Sequence, residues 1–294
     1  MKHLIEEDRG LGTAYERYCF YQRLDALARE YDVESMLEGP VDGMAGVAGV
    51  HGVGLAARGV EVTSAVPTEA HAEVARGIYA GSPHARVVVC GEDEVASLPR
   101  ADMVLCYHAL SFVPDWRAYL ASVAALARKV LVVAVCNPDN WGVAIVRTAA
   151  RLRGVHVEAP ESWQREVLGP ELWRHGRVRD HIYFDCPWWP DLQVSPGQTL
   201  GDRVKKLFGR GGFKFTDTHE DATVAERFVY GVGRWPYFGG PGWQDELLPA
   251  LLKHPAFEGA SRRVQARAAH LHAFVVDMRP RTPQARRRLA TLEG

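Results

Sequence analysis

The chain has 294 residues, enough for one large α/β domain or for an ordinary domain carrying an insertion. Its 35 Lys and Arg nearly balance its 36 Asp and Glu, for a formal net charge of -1, so no global field draws in nucleic acid or an anionic membrane. The five cysteines, Cys19, Cys90, Cys106, Cys136 and Cys186, are scattered and include no CxxC pair, which argues against both a disulfide framework and a zinc site.

The first residues, MKHLIEEDRG, lack the apolar core of a signal peptide. The longest apolar run, Val130 to Cys136, is far short of the roughly 20 residues that a membrane span requires, so a soluble, cytoplasmic protein with a small-molecule partner is expected. Residues 1–30 read as an N-terminal helical cap. Within it Tyr15, Tyr18 and Tyr21 either close over a ligand or pack one helix face.

From residue 31 to 153 short apolar runs alternate with helical stretches, the rhythm of a mostly parallel sheet covered on both faces. The first strand, Val33 to Leu37, enters LEGPVDGMAG, a loop of glycines and carboxylates around Pro40. AGVAGVHGVGLAARG then reads as a small-residue helix stopped at Gly59, before a second strand from Val60 to Thr63. Pro67 and Thr68 open a helix that runs to about Tyr79. The third strand, Ala85 to Cys90, is β-branched and leads into the acidic turn GEDE. The fourth, Met103 to Tyr107, is followed by HALSFVPDW. There Pro114 and Asp115 start a helix whose face carries Trp116, Tyr119, Leu120, Val123 and Ala127. The fifth strand, Val130 to Cys136, ends at NPDNWG.

Beyond residue 150 tryptophan, histidine, arginine and proline become dense, and residues 154–212 read as an inserted, aromatic-rich lid. Apolar alternation returns at Phe213 to Thr218, around Arg227 to Val232 and at Ala269 to Met278, so residues 213–294 are expected to complete a seven-stranded sheet and end in a helix. The Arg286 to Arg288 cluster reads as a solvated face.

In a parallel sheet ligands sit at the carboxyl ends of the strands, near the point where strand order reverses. Four loops therefore carry the candidates. They are Glu38, Gly39, Pro40, Asp42, Gly43 and Gly46 after the first strand, Glu92 and Asp93 after the third, Tyr107 and His108 after the fourth, and Asn137 and Asn140 after the fifth.

This ordered set resembles the class I methyltransferases that use S-adenosylmethionine, over roughly residues 31 to 140. The resemblance implies a Rossmann-like doubly wound fold, with LEGPVDGMAG as the turn at the methionine end of the cofactor and GEDE against its adenine. Glu38, Gly39, Pro40, Asp42, Gly43, Gly46, Glu92, Asp93 and Tyr15 are the cofactor contacts implied. The family's acid at the end of strand two is absent from EVTSAVPTEA, so either Ser64 or Glu69 substitutes, or the cofactor is held differently, or it is not held. His108 and Tyr107 stand in the catalytic position, with His108 read either as a base or as a packed residue. Asn137, Asn140, His181, Trp188 and Trp189 are the substrate candidates, the last two fit to wall an apolar or aromatic site or to pack the insert. His270 and His272 share one strand face, but no carboxylate or cysteine joins them in sequence and no metal is expected.

Two other expectations come from other features. GVGLAA, Gly52 to Ala57, fits a nicotinamide-dinucleotide string, although it falls inside a helix rather than directly after a strand. The proline in the turn and the missing acid also suit a methyltransferase fold that binds without catalysing.

Overall fold

The computed structural model describes residues 11–40, 51–154, 156, 158–187 and 257–279. Its elements follow in chain order. Helix α1 is Leu11–Glu30, strand β1 Ser35–Glu38, helix α2 Val53–Ala56 and strand β2 Glu61–Val66. Helix α3, Glu69–Ile78, leads to β3, Ala85–Val89, and a 3-10 turn at Glu92–Ser97 precedes β4, Ala101–Tyr107. A second 3-10 turn, Ala109–Ser111, comes before α4, Trp116–Leu126, and β5, Ala127–Cys136. The remainder is α5, Trp141–Arg151, α6, Arg165–His175, β6, Arg177–Phe184, α7, Arg262–Ala268, and β7, Leu271–Asp277.

The seven strands form one sheet in the order β3-β2-β1-β4-β5-β7-β6. From β3 to β5 every pairing is parallel, and β7 runs antiparallel between β5 and β6. The central strands β4 and β5 are the most apolar. Met103 to Leu105 and Val130 to Val135 are fully buried, as expected of parallel strands covered on both faces. After β1 the chain winds outward through β2 and β3, then returns to β4 on the other side. The crevice of this doubly wound sheet therefore opens above the carboxyl ends of β1 and β4.

At the opposite edge Asp102 ties the amino ends of three strands together. Its carboxylate accepts from the Glu34 backbone N–H at 3.1 Å and from Arg128 Nε at 3.0 Å, with Lys129 Nζ at 3.2 Å. The buried strand ends are thus fixed by a charge network on one side, leaving the other side for a site.

Several boundaries move from their expected places. β1 ends one residue later, so Glu38 belongs to the strand rather than to the loop. β2 runs on to Val66, because Ser64 and Ala65 are buried in register with Val87 and Val88 of β3. Thr68 caps α3, accepting from the His71 backbone N–H, and Gly59, at φ +86°, stops the chain after α2. Ala127 starts β5 instead of extending α4.

The largest correction concerns residues 165–184. They were expected in the inserted lid, yet they form α6 and the edge strand β6. β6 is half solvated, so its RVRDHIYF sequence carries charges that a central strand would not tolerate. The stretches Phe213 to Thr218 and Arg227 to Val232, the C-terminal helix and residues 188–212 lie outside the described residues.

Gly52 precedes α2 and explains its own identity. A Cβ at this position would lie 2.5 Å from Val62 Cγ1 and 3.2 Å from Tyr79 Oη, so the glycine lets α2 lie flat on β2. It is a packing glycine, not a phosphate-binding one. Gly52→Ala is expected to destabilise the fold by about 1–3 kcal/mol in urea denaturation. An unchanged midpoint would show that the contact is not tight.

Candidate functional site at the carboxyl edge of the sheet

Glu38 closes β1 with its side chain fully buried. A carboxylate taken from water must be hydrogen-bonded, and both of its oxygens meet one residue. Oε2 accepts from the His51 backbone N–H at 2.9 Å, and Oε1 lies 2.6 Å from His51 Nδ1. With Glu38 ionised, Nδ1 is the ring nitrogen that carries the proton. His51, 1% exposed, sits in an aromatic box, its ring centroid 4.0 Å from that of Tyr107 and 5.4 Å from that of Phe20.

The residues after Glu38 are held equally closely. Gly39 donates its backbone N–H to Leu105 O at 3.0 Å, and a Cβ there would stand 3.3 Å from Tyr119 Oη. Tyr119 donates its hydroxyl to Pro40 O at 3.0 Å. The entry to the turn is thereby bolted to β4 and α4. Asp42, Gly43 and Gly46 lie outside the described residues.

Beside Glu38, β4 delivers Tyr107 and His108. Tyr107 is fully buried and its hydroxyl donates to Glu16 of α1. Burial and the Glu16 carboxylate hold its phenol well above the ordinary value. It is therefore a donor with a committed partner and not a base, which corrects its expected catalytic role. His108 adopts left-handed backbone, φ +55°, unusual for a side chain larger than glycine's. Its N–H donates to Ala134 O at 2.9 Å. Strain of this kind persists where the surroundings over-determine it, and it clusters at sites of function. The His108 ring is 3% exposed, with Nδ1 3.6 Å from Cys136 Sγ. Burial, then the neighbouring His51 and His272 rings, push its pKa down to about 3, so the ring is neutral near pH 7.

The other candidates fall elsewhere. Ser64 is buried inside β2, donating to Tyr79 Oη at 3.0 Å, and is not at the strand's carboxyl end. Glu69 starts α3 on the surface, paired with Arg76. Glu92 and Asp93 form an exposed acidic turn beyond edge strand β3. Asn137 and Asn140 are structural. Asn137 Nδ2 donates to Ala266 O and Ala269 O at 2.9 and 2.8 Å, and Asn140 Nδ2 to Ala268 O and Ala269 O at 2.9 and 3.0 Å. Asn140 Oδ1 also caps α5 by accepting from Gly142 N–H at 2.7 Å. Both amides are spent on fastening the β5 loop to the end of α7, so neither is presented to a substrate. Trp188 and Trp189 lie outside the described residues.

Tyr15 is committed to a contact of its own. Its hydroxyl donates to Glu258, a carboxylate that also receives Cys19 Sγ at 3.5 Å and the Cys186 backbone N–H. This clasp fixes α1 against the segment that leads into α7. With α1 so held, Phe20 lies with its ring centroid 5.0 Å from Tyr107 and 4.9 Å from Phe184, roofing the end of β4.

His181 faces His272 across the β6–β7 ladder. His272 Nε2 is 2.9 Å from Trp163 O, an acceptor only, so Nε2 carries the proton. Nδ1 of His272 is then left to accept from His181 Nε2 at 2.7 Å. His270 pairs instead with Asp185, at 2.9 Å. Among the described residues no group of three or more His, Cys, Asp or Glu side chains is arranged to hold a metal.

A cleft of about 540 Å3 opens beside the end of β4, lined by Leu110, Ser111, Asp115, Trp116, Arg117 and Glu161 among others. Arg117 spans it, with its guanidinium 4.2 Å from the Trp116 ring centroid and its Nη atoms 2.7 and 3.1 Å from the two Glu161 oxygens. His51, Glu16 and Glu258 were missed in the sequence. Only His51 left a trace, as the one imidazole in an otherwise small and apolar run.

No family model matches the chain, and no curated protein matches it. Solved structures do. The N-terminal domain of EvdMO1 with SAH bound is 17% identical over 55% of this chain and 75% of that one, with a TM-score of 0.40. Magnesium protoporphyrin IX methyltransferase (ChlM) from Synechocystis PCC 6803 with bound SAH is 14% identical over 58% and 79%, with a TM-score of 0.42. The strand order, with its antiparallel β7, is that of a Rossmann-like doubly wound sheet. Among the described residues no helix is long and apolar enough to cross a membrane.

The buried histidines make a prediction about acid. Burial holds His108 and His181 near 3 and His272 near 4, against an ordinary value of 6.5. Between those limits the unfolded chain binds protons that the folded chain does not, so stability falls as pH falls below about 6.5. Each ring contributes at most about 1.4 kcal/mol per pH unit. Urea midpoints measured from pH 7 to pH 5, above the range where most carboxylates titrate, should decline. A flat profile would mean that these rings are solvated.

Proposed function

We propose that this protein is an S-adenosylmethionine-dependent methyltransferase that transfers a methyl group to a small-molecule acceptor by direct displacement. The observation that carries the reading is Glu38, a fully buried carboxylate at the strand end where sheet order reverses, followed at once by Gly39. A fixed anion in that place favours a cationic ligand group, and its chemistry fits a sulfonium or an α-ammonium. The end of β2 is less apt, since neither Ser64 nor Glu69 presents an acid to a ribose there.

When bound, the cofactor supplies a methyl group activated on a positive sulfur. The protein's part is alignment, because displacement needs nucleophile, methyl and sulfur in line and no covalent intermediate. His108 stands at the carboxyl end of β4 with its backbone fixed by Ala134, but burial holds its pKa near 3, so it is a weak base near pH 7 and its part is to position an acceptor more than to take a proton from it. The cleft beside Ser111 and Trp116 gives an acceptor an approach to that end, and its tryptophan suits a partly aromatic one. The near-neutral charge is in keeping with a small-molecule partner rather than nucleic acid.

A second reading is favoured by the sealed geometry. Tyr107 is fully buried and His108 is 3% exposed, as suits a fold kept for binding rather than turnover. Such a protein would bind the cofactor, turn over no acceptor and hold a protein partner. The nicotinamide reading loses its motif, since Gly52 serves helix packing.

Isothermal titration with S-adenosylhomocysteine should give saturable heat with the wild type and binding weaker by about tenfold or more with Glu38→Gln. NADH should give none. The absence of S-adenosylhomocysteine binding to a folded wild type would overturn the proposal.

A further inference from the structure

The Glu38 carboxylate does not stand open to a ligand, for among the described residues His51 alone occupies both of its oxygens. These two bonds differ in kind. The backbone N–H to Oε2 belongs to the chain path and holds the carboxylate in place. The ring bond to Oε1 belongs to a side chain that can turn away about its own χ angles. Around the imidazole stand Tyr107, at 4.0 Å between ring centroids, and Phe20, at 5.4 Å, so the ring that meets Oε1 is also packed against two aromatic side chains.

We propose that His51 is an internal ligand of Glu38, a histidine plug that occupies the cation-binding carboxylate and must turn aside before a cationic ligand engages it. This rests on the reading of Glu38 as the cofactor's carboxylate. The geometry makes the plug separable from the anchor, since loss of the imidazole removes the bond to Oε1 and leaves the backbone bond to Oε2. A ligand cation then meets a carboxylate already positioned and relieved of its competitor. If His51 instead held Glu38 in position for the ligand, removal of its ring would weaken binding. The two roles thus differ in sign.

The test is titration of S-adenosylhomocysteine into wild type, His51→Ala and His51→Asn, each checked by circular dichroism for its fold. His51→Ala should bind about tenfold more tightly, which corresponds to about 1.4 kcal/mol of competition removed. His51→Asn, whose amide can still donate to Oε1, should stay close to wild type. Equal or weaker binding by a folded His51→Ala overturns the plug while leaving the cofactor reading intact. No binding by the wild type or either variant overturns both. Should the variants fail to fold, the wild-type His51 ring resonances decide the matter by NMR. A shift on addition of S-adenosylhomocysteine, as the ring leaves the carboxylate and its aromatic box, supports displacement, and unchanged resonances at saturation overturn it.

Discussion

A carboxylate buried at the end of a central strand needs partners, and the one between Glu38 and His51 organises everything around it. It fixes where β1 ends. It brings the start of the α2 region down onto the sheet, because the donor is the backbone N–H of the residue just before Gly52. It also places an imidazole against the Tyr107 ring, so that the ends of β1 and β4 share one packed cluster. Removing the Glu38 carboxylate would leave the His51 backbone N–H and Nδ1 buried without these acceptors, whereas removing the imidazole takes away only the partner of Oε1 and leaves Oε2 on the backbone N–H.

From that pair the rest of the carboxyl edge follows outward as a series of satisfied polar groups. Tyr107 passes its hydroxyl to Glu16 and so calls for α1 overhead. Helix α1 is fixed in turn by Tyr15 and Cys19 on Glu258, whose segment continues into α7. α7 ends where Asn137 and Asn140 grip its last carbonyls. The sheet edge that should receive a ligand is thus closed by the chain's own side chains. Its polar residues are already partnered in pairs that a ligand would have to exchange rather than merely find.

The sequence made the parallel core legible because β2, β3, β4 and β5 are rich in apolar, β-branched residues and are separated by helical stretches. β6 was not legible. RVRDHIYF reads as surface, and only its pairing with the buried β7 makes it a strand. Glu38 was recognised for its place after a strand, but its partner was not, since no local pattern announces a contact between a strand end and a histidine thirteen residues on. Asn140 was misread although its signal was present. An asparagine directly before a helical run is first of all a cap, and here it is one. Ser64 was misplaced for a simpler reason, that a polar pair inside a strand looks like its end.

The measurement that bears most directly on this account is a crystal structure of the wild type grown with S-adenosylhomocysteine. The account predicts the ligand above the carboxyl ends of β1 and β4, with its α-ammonium or sulfur end beside the Glu38 carboxylate. A ligand seated elsewhere, or Glu38 still bonded to His51 on both oxygens at saturating ligand, would contradict it.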